Sequence, residues 1–195
     1  MIEILKEVEQ NLVDLLLNNK LYSMYIDYHK PYVERIFFYY KEYKVYLHRI
    51  HNCEDSNQAL FHPHPWESAI KIIKGKYEMG IGHSETSIIP KIDCKLILKK
   101  GTIYEMLEPD GWHYVRPISK TSVSLMVTGK KNNREMPLKP AQPSSRKLSE
   151  KEIFELLIDF KIVKRRNPVG IKEEILNAHL PAKKEYKIDN MIYNW

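Results

Sequence analysis

The sequence predicts a mainly β chain, a sandwich or barrel of short strands with helical segments at both ends. Of its seven glycines, six (Gly75, Gly80, Gly82, Gly101, Gly111 and Gly129) fall between residues 75 and 129. Glycine is the default residue of tight turns between strands. Aromatic and β-branched residues crowd the stretch 32–50, as in Ile36-Phe-Phe-Tyr-Tyr and Tyr43-Lys-Val-Tyr-Leu, and such residues suit a pleated surface. Helical spacing is confined to the two ends of the chain.

At the N-terminus Ile2, Leu5, Val8, Leu12 and Leu16 recur at close to 3.6 residues, which predicts one amphipathic helix over 2–18. Strands are expected within 32–50 and at 68–74, 77–81, 95–98, 103–107, 114–116 and 122–128. Residues 130–147, with Lys130, Lys131, Pro137, Pro140 and Pro143, read as a linker or surface arm. Ser149 followed by Glu152 is a capping-box pattern. It precedes Ile153, Phe154, Leu157 and Phe160, so a helix begins there. Asn167-Pro-Val-Gly breaks the chain, 171–179 reads as a second short helix, and Tyr186, Ile188, Ile192, Tyr193 and Trp195 are anchors in a polar tail. The organisation expected is an N-terminal helical segment (1–30), a β barrel (31–130), and a basic linker with a helical extension (131–195).

The 195 residues suffice for one domain with a sizeable core. Lys and Arg number 31 against 25 Asp and Glu, a formal +6. Residues 1–129 hold 16 basic and 16 acidic side chains, and 130–195 hold 15 and 9, so the whole surplus lies in the last third. A barrel that is neutral overall argues against nucleic acid as a partner. The run Lys161, Lys164, Arg165 and Arg166 reads as a solvated helix face. No apolar run approaches the roughly 18–20 residues of a membrane span. The first residues are acidic without a cleavage site, unlike a signal peptide. With only Cys53 and Cys94, reduced thiols are expected rather than a disulfide framework. A cytoplasmic chain is the reading that follows.

The chemistry concentrates in histidine. Six of the eight histidines lie between His48 and His113, and the tightest group is Phe61-His62-Pro-His64-Pro-Trp66-Glu67. In an extended segment residues i and i+2 point the same way, so His62 and His64 can offer two imidazoles to one point. Imidazole binds zinc, copper, iron and nickel. A third ligand from another strand would complete a facial set with open positions. His113 is the candidate, standing after Glu108-Pro-Asp-Gly-Trp at the start of a strand.

These motifs resemble those of the cupin superfamily. Its first motif is a His-x-His pair, a Glu three or four residues on, and a Gly seven positions beyond that Glu; His62-Pro-His64 and Gly75 match it. Its second motif has a Gly, then Pro-x-Gly, two residues and a His. Gly101, Pro109-Asp-Gly111 and His113 match, with one residue rather than two between Gly111 and His113. The wider string from Leu47-His-Arg-Ile to Val-Thr-Gly129 is similar to small bacterial and viral cupins of unassigned activity. The resemblance covers about residues 43–130 and implies a double-stranded β-helix, the jelly-roll barrel, with the N-terminal helix and C-terminal helical extension outside it. The glutamate position falls on Ser68, and Glu67 lies one residue earlier. Strand alternation turns Glu67 to the opposite face, and a bulge after Pro65 would restore it. Two versions therefore stand, a three-histidine site or three histidines plus Glu67. The three-histidine version looks like that of the thiol dioxygenases, cupins that hold ferrous iron. The tyrosine those enzymes place late in the barrel has no counterpart in Ser124-Leu-Met-Val-Thr128.

What the resemblance implies is a cupin holding one divalent metal, Fe(II) favoured and Zn, Ni or Mn the alternatives. Dioxygenase-like chemistry on a small molecule leads. A metal-dependent isomerase, or a non-catalytic ligand-binding barrel whose basic C-terminal segment contacts a partner, stands behind it. Four side chains are candidates for the substrate pocket: Arg49, able to bind a carboxylate bidentately, Trp66 and Trp112 beside the ligands, and Tyr104, with either Tyr104 or Glu105 pointing inward by alternation. Arg49 is equally read as salt-bridged, the tryptophans as core packing, and the pair His83 and Glu85 as a hairpin loop rather than a second metal site. Exposed sheet edges favour a homodimer.

Overall fold

The fold is described from a computed structural model, which covers residues 1–86, 88–108, 110–131 and 145–162. The elements run α1 (Ile2–Gln10), α2 (Leu12–Asn18), β1 (Tyr22–Ile26), β2 (Val33–Tyr40), β3 (Tyr43–His51), β4 (His62–Pro63), β5 (Ser68–Lys74), β6 (Lys76–His83), β7 (Cys94–Lys99), β8 (Ile103–Met106), β9 (Gly111–Pro117), β10 (Thr121–Thr128), β11 (Ser145–Arg146) and α3 (Glu150–Asp159). The chain is mainly β, in two antiparallel sheets ordered β11-β1-β2-β3-β10-β5-β8 and β4-β9-β6-β7. The pairs β3–β10, β4–β9, β5–β8 and β6–β7 nest inside one another like one long hairpin rolled up, alternate rungs falling in alternate sheets. That arrangement is a jelly roll, as the sequence leads one to expect.

Strand alternation decides what each sheet face carries. On β2, Glu34, Ile36 and Phe38 face one side while Val33, Arg35 and Phe37 face the other. On β3, Val45, Leu47 and Arg49 share the first side, and Tyr46, His48 and Ile50 the second. The first face is apolar and is covered by the helices. Leu5 and Val8 of α1, Leu12 and Leu16 of α2, and Leu156 and Leu157 of α3 pack there on Ile36, Phe38, Val45, Leu47, Leu125 and Val127. The largest hydrophobic cluster thus lies between helices and sheet, outside the barrel. The interior between the sheets holds smaller clusters, such as Phe37, Tyr46, Ile70 and Met126, and can therefore accommodate polar side chains.

The buried residues Leu5, Val8, Leu12 and Leu16 are those the helical spacing selects, but the helix is broken at Asn11. The Asn11 side-chain amide donates to the Glu7 carbonyl at 2.8 Å, a local bond that competes with the helical ladder. β1 lies within the first 30 residues and extends the sheet beyond β2, although Tyr22–Ile26 shows no clean alternation in the sequence. The arm after residue 130 returns to the barrel as β11, which pairs with β1. The capping box at α3 is formed: the Ser149 hydroxyl accepts from the Glu152 amide at 3.3 Å, and the Glu152 carboxylate accepts from the Ser149 amide at 2.7 Å. Most of the linker, the helix expected at 171–179, the Lys164–Arg166 part of the basic run and the C-terminal anchors lie outside the described residues. Cys53 is buried and Cys94 exposed, both free thiols. No helix among the described residues is long and apolar enough to cross a membrane.

Candidate metal centre

Two pairings bring the histidines together. β4 pairs with β9 so that His62 stands opposite His113, and β9 pairs with β6 so that His113 stands opposite Ile81. Two residues beyond His62, His64 arrives on the same side. One nitrogen from each of His62, His64 and His113 lies within 4.8 Å of the others. The ring centroids form a nearly regular triangle of 4.8, 5.1 and 4.7 Å, with the planes steeply inclined to one another.

Each ring is held in place. His62 Nδ1 donates to the Leu60 carbonyl at 2.9 Å, which leaves Nε2 as its free donor atom. Such a bond from the far ring nitrogen commonly orients a metal-ligating histidine. His64 stacks near Trp66, centroids 5.5 Å apart, and its Nε2 shares a proton with His113 Nε2 at 2.7 Å. His113 is buried, and its Nδ1 has no hydrogen-bond partner. Gly80 makes room behind this strand, because a Cβ there would lie 2.0 Å from the ring of Tyr114, the neighbour of His113.

Burial keeps the imidazoles neutral. It pulls His62 down to about 4 and holds His64 and His113 well below the ordinary imidazole range. Neighbouring imidazoles add to the effect, His29 at His62, His113 and His62 at His64, and His62 at His113, and so does the Arg35 charge at His62 and His64. Neutral imidazole is the form that ligates. Three convergent imidazole donors, one of them oriented by the Leu60 carbonyl, fit a divalent transition metal. The same rings without a metal must share protons among themselves.

Behind the histidines lies a cavity of about 80 Å³ between the two sheets, enough for a few water molecules or a small ligand. Tyr104 lines it, so alternation turns Tyr104 inward. Glu105 turns out to take the N-terminal ammonium at 2.9 Å. The remaining expected site residues are elsewhere. No bulge re-aims Glu67: it is exposed, while Ser68 is buried and lines the cavity. The structure therefore does not bring Glu67 to the histidines. Arg49 is buried on the helix-covered face, bound to Glu34 at 2.7 Å and to Asp159 at 2.9 Å, and takes no part in the cavity. Trp112 is fully buried against Phe61 (centroids 5.8 Å), and neither tryptophan lines the cavity. His83 pairs with Asp93 at 3.2 Å and is exposed with Glu85, away from the histidine group.

Four of the ionisable cavity residues were not selected by motif: His29, Arg35, His48 and Tyr77. The signal for Arg35 is the adjacent charge pair Glu34-Arg35 in an otherwise apolar strand. Opposite charges side by side on a strand must point to opposite faces, and only pairing with β3 says which goes inward.

No family model matches the chain, and no curated protein matches it. Among solved structures, it is similar to hydroxypropylphosphonic acid epoxidase from S. wedmorenis (12% identity, 54% of this chain and 55% of that one, TM-score 0.42). It is also similar to the FeII form of HppE (14%, 49% and 50%, TM-score 0.40) and to KdgF from Halomonas sp. (10%, 55% and 88%, TM-score 0.40). The chain spans about half the length of the first two.

Proposed function

We propose that the chain is a metal-binding cupin, and that His62, His64 and His113 hold one divalent metal at the mouth of the barrel cavity. The observation that carries this reading is the triangle of imidazoles, His113 buried and His62 and His64 half-buried, with donor atoms within 4.8 Å of one another. Fe(II) is the favoured metal, since a histidine-dominated facial site with open positions suits it; Zn, Ni and Mn are the alternatives. Among the described residues no carboxylate joins the cluster, which supports the three-histidine version of the site.

A metal bound there would supply open coordination positions for a small chelating molecule and for dioxygen, the basis of dioxygenase-like chemistry. The protein's own part is to exclude water and orient the ligand. Leu60 fixes the His62 ring, Trp66 flanks His64, and the apolar side chains Val33, Ile50 and Met126 keep the cavity poor in bulk solvent. Tyr77 and Tyr104, hydroxyl to hydroxyl at 2.7 Å, offer the one hydrogen their mutual bond leaves over. Burial pushes Tyr104 up to about 12, so it remains protonated and a donor.

The test is elemental analysis after anaerobic purification, followed by reloading with Fe(II), Co(II), Zn(II), Ni(II) or Mn(II). The proposal expects close to one metal per chain and its loss in His113→Ala with circular dichroism unchanged. Finding no metal, together with unchanged thermal stability in all five ions, would end it.

A further inference from the structure

We propose that the Lys44 amine, set among aromatic rings at the rim of the barrel, is a nucleophile that captures aromatic aldehydes as imines. Its chemistry is independent of the metal-centre reading. Tyr39, Lys44, Thr128 and Ser68 are successive cross-strand partners on β2, β3, β10 and β5. This is the last row on the Tyr46 and His48 side of β3 before the β2–β3 turn. One row further in, Phe37 and Tyr46 pack with Ile70 and Met126. Ile70 and Met126 line the metal cavity, whereas Lys44, Tyr39, Phe37 and Tyr46 do not.

Three rings surround the nitrogen. Lys44 Nζ lies 4.2 Å from the centroid of Phe37, 5.0 Å from Tyr46 and 5.7 Å from Tyr39. Among the described residues no carboxylate pairs with it. Glu42, the acid nearest in the chain, is bound by Lys130 at 3.1 Å. Lys71, which faces the helices instead, takes the Glu9 carboxylate at 2.6 Å. The charged and titratable groups around Lys44 are Arg35 and Tyr39 on β2, Tyr46 on β3, and Tyr22 on β1 with Lys20 5.3 Å over its ring; β10 brings only Thr128. The ring faces attract the ammonium but carry no counter-charge. Burial first, and the Arg35 charge second, pull Lys44 down to about 8. A lysine desolvated among apolar groups in this way is an activated amine.

The rings also select the electrophile. Tyr22 stacks on Phe37 with centroids 5.1 Å apart, and Tyr39 stands edge-on to Tyr22 at 6.2 Å. Tyr22 is 37% and Tyr39 50% exposed, so this aromatic corner beside the amine is open to a further ring. In the reaction the Nζ lone pair forms the C–N bond to the aldehyde carbon. The carbonyl oxygen takes both protons of the neutral amine and leaves as water, and nothing is oxidised or reduced.

The test treats the full chain with benzaldehyde or propanal and sodium cyanoborohydride at pH 7.5, and reads the alkylation of each lysine by peptide mass mapping. Lys44 should react about tenfold or more faster than the exposed Lys95, Lys99 and Lys120. That lead should be about threefold larger with benzaldehyde than with propanal. Trace acetylation across a pH series adds a readout that packing alone would not move. Lys44 should reach half its final rate near pH 8, and the three reference lysines only above about pH 10. In Tyr39→Ala, which removes an exposed ring, the benzaldehyde lead should fall towards the propanal lead. If Lys44 reacts no faster than the reference lysines, or its pH profile follows theirs, the nucleophile is overturned. If propanal gains the same lead as benzaldehyde in the unaltered protein, or folded Tyr39→Ala keeps the full benzaldehyde lead, the aromatic specificity is overturned.

Discussion

His64 Nε2 and His113 Nε2, carried by segments 49 residues apart in the chain, stand 2.7 Å from each other. Two neutral imidazoles at that distance share one proton, and a third ring, His62, closes the triangle. The strand pairing that sets this arrangement is the one that builds the barrel, so the cluster is organised by the fold.

Alanine at His62, His64 or His113 should each remove stoichiometric metal, whereas Glu67→Ala should leave it in place, because Glu67 is exposed and outside the triangle. Co(II) at about 100 times its Kd should stabilise the unaltered protein by about 2.7 kcal/mol. For a chain of this size that is about 5–10 °C in Tm. Loss of metal in Glu67→Ala would contradict the three-histidine site.

Acid should weaken the metal-free protein earlier than carboxylate protonation alone. Burial depresses His29 and His62 to about 4 from the ordinary 6.5. Between those values the unfolded chain binds more protons than the folded one, so stability is complete above pH 6.5 and falls as the pH drops towards 4. Each fully depressed imidazole contributes up to about 3 kcal/mol to that loss. Urea midpoints at pH 7.5, 6 and 5 check it, and a flat profile down to pH 5 contradicts it.

Arg49→Met should cost about 3 kcal/mol, because the buried Glu34 carboxylate loses its guanidinium and keeps only His51, while Asp159 of α3 keeps only Lys74. Metal content should not change, since Arg49 lies on the helix-covered face. The combined Glu34→Gln and Arg49→Met variant should recover part of the loss. Denaturant unfolding with parallel metal analysis separates the two effects.

Gly75 and Gly101 both have positive φ, +81° and +89°, but differ in their surroundings. A Cβ at Gly75 would lie 2.6 Å from the Thr121 carbonyl oxygen, whereas at Gly101 it would meet nothing within 4 Å. Gly101→Ala should therefore cost only the conformational term, about 1–2 kcal/mol. Gly75→Ala should cost clearly more, as read by thermal unfolding of both variants.

Local features were legible wherever the cause is local. The capping box at Ser149 depends on residues three apart, and the core positions of α1 and α2 depend on helical spacing. The break at Asn11 was not legible, because an amide that bonds back to Glu7 competes with a helix the apolar pattern supports equally well. β1 was hidden because its residues are paired by β2 on one side and by the distant β11 on the other.

The sequence by itself determined that the chain is mainly β, built of short strands, and singled out His62, His64 and His113 as a candidate metal-ligand set. These conclusions rest on i, i+2 geometry, turn glycines and a histidine at a strand start, all readable within a few residues. The phase of each strand was settled only by the tertiary structure. A strand's side chains alternate with a period of two, so neighbours such as Glu34 and Arg35, His48 and Arg49, or Glu67 and Ser68 are equivalent until pairing fixes which face is inside. Pairing turned Arg35, His48 and Ser68 into the cavity and sent Glu34 and Arg49 beneath the helices. The cavity-facing wall was thereby decided by contacts between strands far apart in the chain.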